Sequence, residues 1–190
     1  MSSLKPAVFL DRDGVINRDT GYTHKLDELE ILAGVADGCR QLIAAGLELV
    51  IVTNQSGIAR GLYNEQDYQR FSDELLNQLS SQKVHFLAVY FCPHHKEGEM
   101  LPYRQVCDCR KPGPGMLFRA ANEHPIDLSR SYIVGDRASD LEAGQNAGLK
   151  ANVLIETGKA ITPEGQNKAD YVAANFITAT EWILTDFNSH

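Results

Sequence analysis

Short apolar segments alternate along this 190-residue chain with longer segments of helical periodicity. The apolar segments predict strands at Ala7–Leu10, 47–52, 85–91, 131–134 and 152–156, with a short strand near Tyr171. The periodic segments predict helices at 34–45, 65–80 behind an Asn64 cap, Gly115–Glu123, Ala138–Ala147 and 177–187. Continuous, β-branched strands that alternate with helices are typical of a parallel sheet covered on both faces. The pattern therefore predicts a doubly wound α/β fold with a mostly parallel sheet.

Polar side chains follow several of these strands at the point where each strand ends. Asp11 and Asp13 follow the first strand, Thr53 follows the second, and Asp136 and Asp140 follow a later one. Ligands of open α/β sheets bind at the carboxyl ends of the strands, so we expect these side chains to meet at one edge. Two acids this close repel each other, and Mg²⁺ held by carboxylates and substrate phosphate would remove the repulsion. The alternative is an ordinary acidic turn after a strand.

A basic pair, Arg110 and Lys111, precedes the Pro-Gly-Pro start of a predicted helix. With the acids and the threonine, it completes the groups that phosphoryl transfer needs: a nucleophile, a metal site, hydrogen-bond donors and a cation. At this point the chain resembles a known family. The motifs of the haloacid dehalogenase-like phosphatases are matched, in order, by Asp11-Arg12-Asp13-Gly14-Val15, Thr53, Lys111 and Gly135-Asp136-Arg137-Ala138-Ser139-Asp140.

The resemblance implies a role for each motif residue. Asp11 would be the nucleophile that forms an aspartyl-phosphate, and Asp13 the general acid and base. Thr53 would donate to a phosphate oxygen, and Lys111 would neutralise charge in the transition state. Mg²⁺ would be held by the carboxylates of Asp11 and Asp136 and by the backbone carbonyl of Asp13.

The fold implied by the resemblance is Rossmann-like. The intervals between the motifs are filled by predicted elements and leave no room for a separate cap domain. We therefore expect residues 1–190 to form a single domain. In an extended strand Arg12 would point away from Asp11 and Asp13, so we assign it no catalytic role. Asp140, one helical turn after Asp136, would either orient ligands of the metal or be an exposed helix acid.

Cysteine and histidine spacing predicts a second metal site. Cys92 and His94 form one i, i+2 pair, and Cys107 and Cys109 form another. Residues two apart in an extended segment point the same way, so two facing pairs can make a closed tetrahedral site for structural Zn²⁺. Such a zinc-bound loop would hold Arg110 and Lys111 in place. The alternative is a set of reduced, unligated cysteines.

Two neighbours of this cluster are expected to take no part in it. The spacing of His95 from Cys92 directs it elsewhere, and Cys39 lies on the apolar stripe of a helix, as a buried core thiol would.

Within the family, the segment 53–61 and the cysteine-rich segments resemble the D-glycero-D-manno-heptose 1,7-bisphosphate 7-phosphatases. The histidinol-phosphate phosphatases are a sister group with a similar zinc loop. Arg110 can form two hydrogen bonds with a second phosphate or with sugar hydroxyls. The other substrate contacts implied by the resemblance are Asp19, Thr20, Gly21, Tyr22, Asn54, Gln55, Ser56 and Arg137.

Composition and charge restrict the function. The net charge of −7 argues against general nucleic-acid binding. The chain shows no signal-peptide-like or long apolar segment, so we expect a cytoplasmic protein with no membrane partner. No long apolar stripe remains after the core is assigned, which favours a monomer.

The leading hypothesis is a Mg²⁺-dependent phosphomonoesterase that removes the 7-phosphate of the heptose bisphosphate, in the synthesis of nucleotide-activated heptose for lipopolysaccharide core or surface-layer precursors. A histidinol-phosphate phosphatase is the alternative enzyme. A non-catalytic, zinc-stabilised binding module is the alternative of another class, and it would require the loss of a catalytic residue.

Overall fold

Six parallel strands form one sheet in the computed structural model, which describes residues 4–156 and 161–189. The strands are β1 (Ala7–Leu10), β2 (Glu48–Asn54), β3 (Ala88–Cys92), β4 (Tyr132–Gly135), β5 (Ala151–Ile155) and β6 (Tyr171–Ala173). Their order is β3-β2-β1-β4-β5-β6, and every neighbouring pair is parallel. The chain reverses its direction of winding between β1 and β4. The predicted doubly wound sheet is confirmed, with its topological switch point at these two strands.

Seven α-helices connect the described strands or follow them. They are α1 (Val35–Ala44), α2 (Ser56–Ala59), α3 (Glu65–Ser81), α4 (Gly115–Glu123), α5 (Ala138–Ala147), α6 (Pro163–Lys168) and α7 (Phe176–Asn188). The Asn64 cap of α3 is confirmed, since its side chain accepts from the Asp67 amide and Asp67 accepts in return from the Asn64 amide. Helices α2 and α6 were not predicted, because four and six residues are too few to show a helical period.

Alternate residues of β1 explain why helices cover both faces of the sheet. Val8 and Leu10 belong to one fully buried cluster, which includes residues of α1 and α7. Ala7 and Phe9 belong to a second cluster, which includes residues of α4 and α5. Because side chains of a strand alternate between the two faces, a strand buried throughout needs a helical layer on each side.

The bounds of two predicted strands differ from the structure by more than one residue. Strand β2 continues past residue 52, because Thr53 and Asn54 pair with Phe91 and Cys92 of β3. Strand β3 begins at Ala88 rather than at residue 85 and includes Cys92. Pairing with β3 therefore extends β2 through two polar residues, and it brings Cys92, a predicted zinc ligand, to the end of β3.

The described segments between the motif strands are helices, loops and short 3-10 turns, and no cap domain is evident among them. No helix in the described ranges has the length and apolar content that a membrane crossing needs.

Candidate active site

The switch point of the sheet brings the first and last acidic motifs together. The Asp11 amide donates to the carbonyl oxygen of Val134 at 3.0 Å, so the chain leaves β1 beside the end of β4. Carboxylate oxygens of Asp11, Asp136 and Asp140 lie within 4.8 Å of one another. All three residues are buried or nearly so, and the expected meeting of these acids at one sheet edge is confirmed.

Gly14 permits this close approach. It has a φ of 91°, and a Cβ at this position would lie 2.5 Å from Oδ2 of Asp136. Any larger residue at this position would have to displace the Asp136 carboxylate, and it would also have to adopt a backbone conformation that favours glycine. The glycine therefore leaves a cradle for the Asp136 carboxylate against the turn that follows Asp13.

Lys111 reaches the same group of acids. Its Nζ lies 2.8 Å from Oδ1 of Asp11 and 2.7 Å from Oδ1 of Asp140. It also donates to the backbone oxygen of Val52 at 2.7 Å, and the residue is 3% exposed. Asp140 is 2% exposed, so the possibility that it is an exposed helix acid is wrong.

The electrostatics of this cluster favour an additional cation. Burial is the main cause that raises the pKa of Asp11, with Asp140 and Asp136 adding to it and Lys111 opposing it. Burial by itself lowers the pKa of Lys111, but the two carboxylates more than offset this and keep it above its ordinary value. The lysine is thus held as a cation, and one ammonium faces three buried carboxylates. A divalent cation would remove the remaining repulsion.

Asp13 is held by four hydrogen bonds. Arg12 donates from Nε and Nη2 at 3.0 and 2.9 Å, and Asn17 and Gln55 donate from their amides at 3.0 and 2.9 Å. The expectation that Arg12 points away is wrong, because β1 ends at Leu10 and the following residues leave the extended conformation. Arg12 is 1% exposed and therefore fixes the orientation of the Asp13 carboxylate.

The residues after β2 support their neighbours in the site. Gln55 donates to Oγ1 of Thr53 at 2.8 Å as well as to Asp13, and it accepts from the hydroxyl of Tyr63. The Asn54 side chain accepts from the Lys111 amide at 3.1 Å and donates to the Lys111 carbonyl at 3.0 Å. Both amides are thus engaged by the protein, and each positions another member of the site.

A cavity of about 600 Å³ opens over this centre. Among the predicted residues, its lining contains Asp11, Asp13, Asp19, Gly21, Tyr22, Thr53, Asn54, Gln55, Ser56, Arg110, Lys111, Arg137 and Asp140. The structure does not place Thr20 in this wall, because its hydroxyl and its amide both contact the Thr23 hydroxyl. Sequence reasoning missed Arg60, Tyr63 and Ser139, which also line the cavity.

The loop after β1 is tied to the acidic centre by an arginine. Arg137 donates from Nη2 to Oδ2 of Asp19 at 3.0 Å, and its Nε lies 3.7 Å from Oδ1 of Asp136. The Arg137 side chain is 59% exposed, so one side of it remains open to the solvent above the cavity. It can bind an anion there while it holds the Asp19 loop.

The two predicted cysteine–histidine pairs converge on one cluster. Separations between the three sulfur atoms of Cys92, Cys107 and Cys109 are 3.2 to 3.5 Å, and Nδ1 of His94 lies 3.4 and 3.8 Å from two of them. A tetrahedron with Zn–S bonds near 2.3 Å has sulfur–sulfur edges of about 3.8 Å. The four atoms therefore have the arrangement and nearly the spacing of a closed metal site.

The chemistry of the cluster also fits a cation. The hydrogen bond between Cys92 and Cys109 is the main cause that lowers the pKa of the Cys109 thiol and raises the pKa of the Cys92 thiol. The lowered pKa favours the thiolate of Cys109, which is the form that binds a metal. His95 lies outside the cluster as expected, since its ring contacts Arg60 and the Glu97 amide.

Comparison with known proteins identifies the family. Residues 108–179 match the HAD-hydrolase-like family model. D-glycero-beta-D-manno-heptose-1,7-bisphosphate 7-phosphatase of Escherichia coli K12 is 47% identical over 172 residues, covering 90% of this chain and 90% of that protein. The Haemophilus influenzae protein of the same name is 45% identical, covering 92% of this chain and 94% of its own. The chain belongs to the heptose-bisphosphate phosphatase family of HAD-like hydrolases.

A solved structure of a heptose-bisphosphate phosphatase shows the same fold. D,D-heptose 1,7-bisphosphate phosphatase from B. bronchiseptica, complexed with magnesium and phosphate, is 30% identical and has a TM-score of 0.80. The match covers 95% of this chain and 99% of that one. This member of the family is thus similar over nearly its whole length to a heptose-bisphosphate phosphatase that binds magnesium and phosphate.

Proposed function

We propose that this protein is a Mg²⁺-dependent phosphomonoesterase that removes the 7-phosphate of D-glycero-beta-D-manno-heptose 1,7-bisphosphate. The observation that carries the chemistry is the buried contact of Asp11 with Lys111 beside Asp136, at the base of an open polar cavity. The relatives that match nine-tenths of the chain support the substrate and the β-anomer. The product would serve the synthesis of nucleotide-activated heptose.

Asp11 and Asp13 divide the reaction into two steps. A carboxylate oxygen of Asp11 attacks the phosphorus, the bond from phosphorus to the C7 oxygen breaks, and Asp13 gives its proton to that oxygen. Water then attacks the phosphorus of the aspartyl-phosphate while Asp13 takes a proton, which releases phosphate and restores Asp11. All four partners of Asp13 donate, so a proton on Asp13 must displace one of them.

Neighbouring side chains stabilise the transferred phosphoryl group. Lys111 is a fixed cation beside the attacking carboxylate, and the side-chain amide of Asn54 holds its backbone by accepting from the Lys111 N–H and donating to the Lys111 carbonyl. The hydroxyl of Thr53 lines the cavity and is oriented by Gln55. These groups are in place before the reaction begins, so little reorganisation is needed as charge develops.

The metal assignments form part of this proposal. Asp11 and Asp136 would hold Mg²⁺ with the backbone carbonyl of Asp13, and the Gly14 cradle supports this set. When bound, Mg²⁺ would neutralise charge on the phosphoryl oxygens and on the acids. Cys92, His94, Cys107 and Cys109 would hold a structural Zn²⁺, since the closed set leaves no position for water.

The remaining lining residues would bind the sugar. Asp19, Gly21 and Tyr22 would contact the heptose hydroxyls, with Arg137 beside them. Ser56 would add a donor near the phosphate, and Arg110 would bind the distal 1-phosphate. We also propose that the protein acts in the cytoplasm.

Phosphate release with Mg²⁺ tests this function directly. We expect kcat/KM to be far higher for heptose 1,7-bisphosphate than for histidinol phosphate, with the β-anomer preferred over the α-anomer. A preference for histidinol phosphate would keep the nucleophile and the metal but assign the protein to histidine biosynthesis. Activity on neither compound would contradict the proposed substrate.

A further inference from the structure

Two arginines face the same cavity without a carboxylate partner. Arg60, at the end of α2, and Arg110 both line the cavity that contains Asp11 and Lys111. Within the described ranges, neither guanidinium forms an ion pair, and Nε of Arg60 is buried with no hydrogen-bond partner. Two cations that share a cavity repel each other unless an anion lies between them.

The contacts of His95 leave the Arg60 guanidinium only partly satisfied. Nη2 of Arg60 lies 3.1 Å from Nε2 of His95, while the Glu97 amide donates to Nδ1 of the same ring at 3.1 Å. A neutral imidazole has one acceptor nitrogen, yet two donors are aimed at this ring. The Glu97 amide is fixed by the backbone, so the arginine is the donor left to bind an oxygen acceptor in the cavity.

The segment 93–114 between β3 and α4, which we call the zinc loop after its proposed metal site, fixes the position of Arg60 as well as that of Arg110. The Met100 amide donates to the Ala59 carbonyl at 2.9 Å, next to Arg60. A Cβ on Gly98 would lie 2.8 Å from both the Cβ and the oxygen of Ala59, so the loop packs tightly on α2 at this point. On the other side of the loop, Arg110 donates to the His94 carbonyl at 3.3 Å. One segment, which carries the cysteine–histidine cluster, thus supports both guanidiniums.

We propose that Arg60 completes, with Arg110, a binding site for the distal phosphate of the bisphosphate substrate. This proposal rests on the proposed function, which supplies a substrate with two phosphates. Lys111 and Asp11 bind the phosphate that is removed, and the guanidinium pair binds the one that stays. Arg60 is then a specificity residue that distinguishes sugar bisphosphates from monophosphates, and the zinc loop organises substrate selection.

Paired substrates test the assignment. We would measure kcat/KM of wild type and Arg60→Gln on heptose 1,7-bisphosphate and on heptose 7-phosphate, which lacks the distal phosphate. We expect Arg60→Gln to lose about 10- to 100-fold on the bisphosphate, the effect of one charged hydrogen bond, with less than about 3-fold change on the monophosphate. Arg104→Gln, an exposed arginine of the same loop, is the matched control and should change neither value.

The outcomes separate this proposal from the function on which it rests. Wild type that does not prefer the bisphosphate would overturn the proposed function. Wild type that prefers it while Arg60→Gln keeps the same preference would overturn the role of Arg60 alone. An equal loss on both substrates would also overturn it. If Arg60→Gln fails to fold, Arg60→Lys keeps the charge without the planar fork and should reduce the preference selectively.

Discussion

The role of each side chain in this site depends on its contacts as well as on its residue type. Lys111 lies against Asp11 and Asp140, and Asp13 is held by Arg12. Each contact joins one group with a chemical role to another that orients or neutralises it. Predictions at this scale therefore concern the nucleophile and the charge balance around it.

Replacement of the nucleophile should remove turnover while the fold remains. Asp11→Asn keeps the size of the side chain but cannot form an aspartyl-phosphate, so we expect kcat to fall by at least about 10⁴-fold. Circular dichroism should be unchanged. Phosphate release at more than a few per cent of the wild-type rate would contradict the assignment of Asp11.

Removal of the buried cation should reduce stability as well as activity. Lys111→Met leaves Asp11 and Asp140 facing each other in a buried site, and we expect the free energy of unfolding in Mg²⁺-free buffer to fall by about 3–5 kcal/mol. The double variant Lys111→Met/Asp140→Asn should recover part of the stability but no activity. Urea denaturation measures both effects. Lys96→Met, at an exposed position, is the control and should change the free energy of unfolding little. If Lys111→Met changes it as little as the control does, the charge argument is contradicted.

At the scale of elements, the loop between β3 and α4 carries Arg110 and Lys111 and packs on α2. Its described backbone forms one short 3-10 turn, Leu101–Tyr103, so regular secondary structure contributes little to its order. The cysteine–histidine cluster joins the two ends of this segment. We therefore expect the metal to determine where the two cations lie.

Metal analysis of protein purified without chelator should find about one Zn per chain. Cys107→Ser should lose the metal and reduce kcat/KM on the bisphosphate, because Arg110 and Lys111 are no longer held. Cys39→Ala is the matched control, because Cys39 lies in α1 and is not part of the cluster. This variant should retain the metal. Protein with no Zn would count against the site.

Cys39 itself should make stability depend on pH in the alkaline range. Burial in α1 raises the pKa of its thiol from 9.0 to about 12. Above pH 9.0 the unfolded chain releases this proton and the folded one keeps it, so stability is lost as pH rises from 9.0 to about 12. The free energy of unfolding of wild type should fall relative to Cys39→Ala by up to about 1.4 kcal/mol per pH unit. Parallel pH dependence of the two proteins would contradict this.

For the molecule as a whole, the position of the site follows from topology. The order of the strands places the ends of β1 and β4 side by side, and the helices on both faces leave the crevice at that edge open. The large exposed apolar side chains include Leu101 and Val106 on the zinc loop, at 72% and 84% exposure. The edge strand β6 has three residues and offers little surface for pairing with another chain.

The short edge strand favours the monomer that the sequence predicts. Sedimentation equilibrium should give a mass near 21.0 kDa that does not change with protein concentration. A dimer that dissociates in the variant Leu101→Ser/Val106→Ser would contradict the expectation and identify the zinc loop as its interface.

The sequence by itself determined the strand–helix alternation, the family motifs and the two groups of candidate metal ligands. These features depend on residues that are neighbours in the chain. A buried strand is recognised as an apolar segment, and the residues that follow it necessarily lie at the edge of the sheet. Pairs such as Arg12–Asp13, Lys111–Asp140 and Arg60–His95 were decided only by the tertiary structure. The direction of the Arg12 side chain depends on where β1 ends. The other two pairs join side chains that are 29 and 35 positions apart in the chain, and no local sequence pattern indicates that they meet.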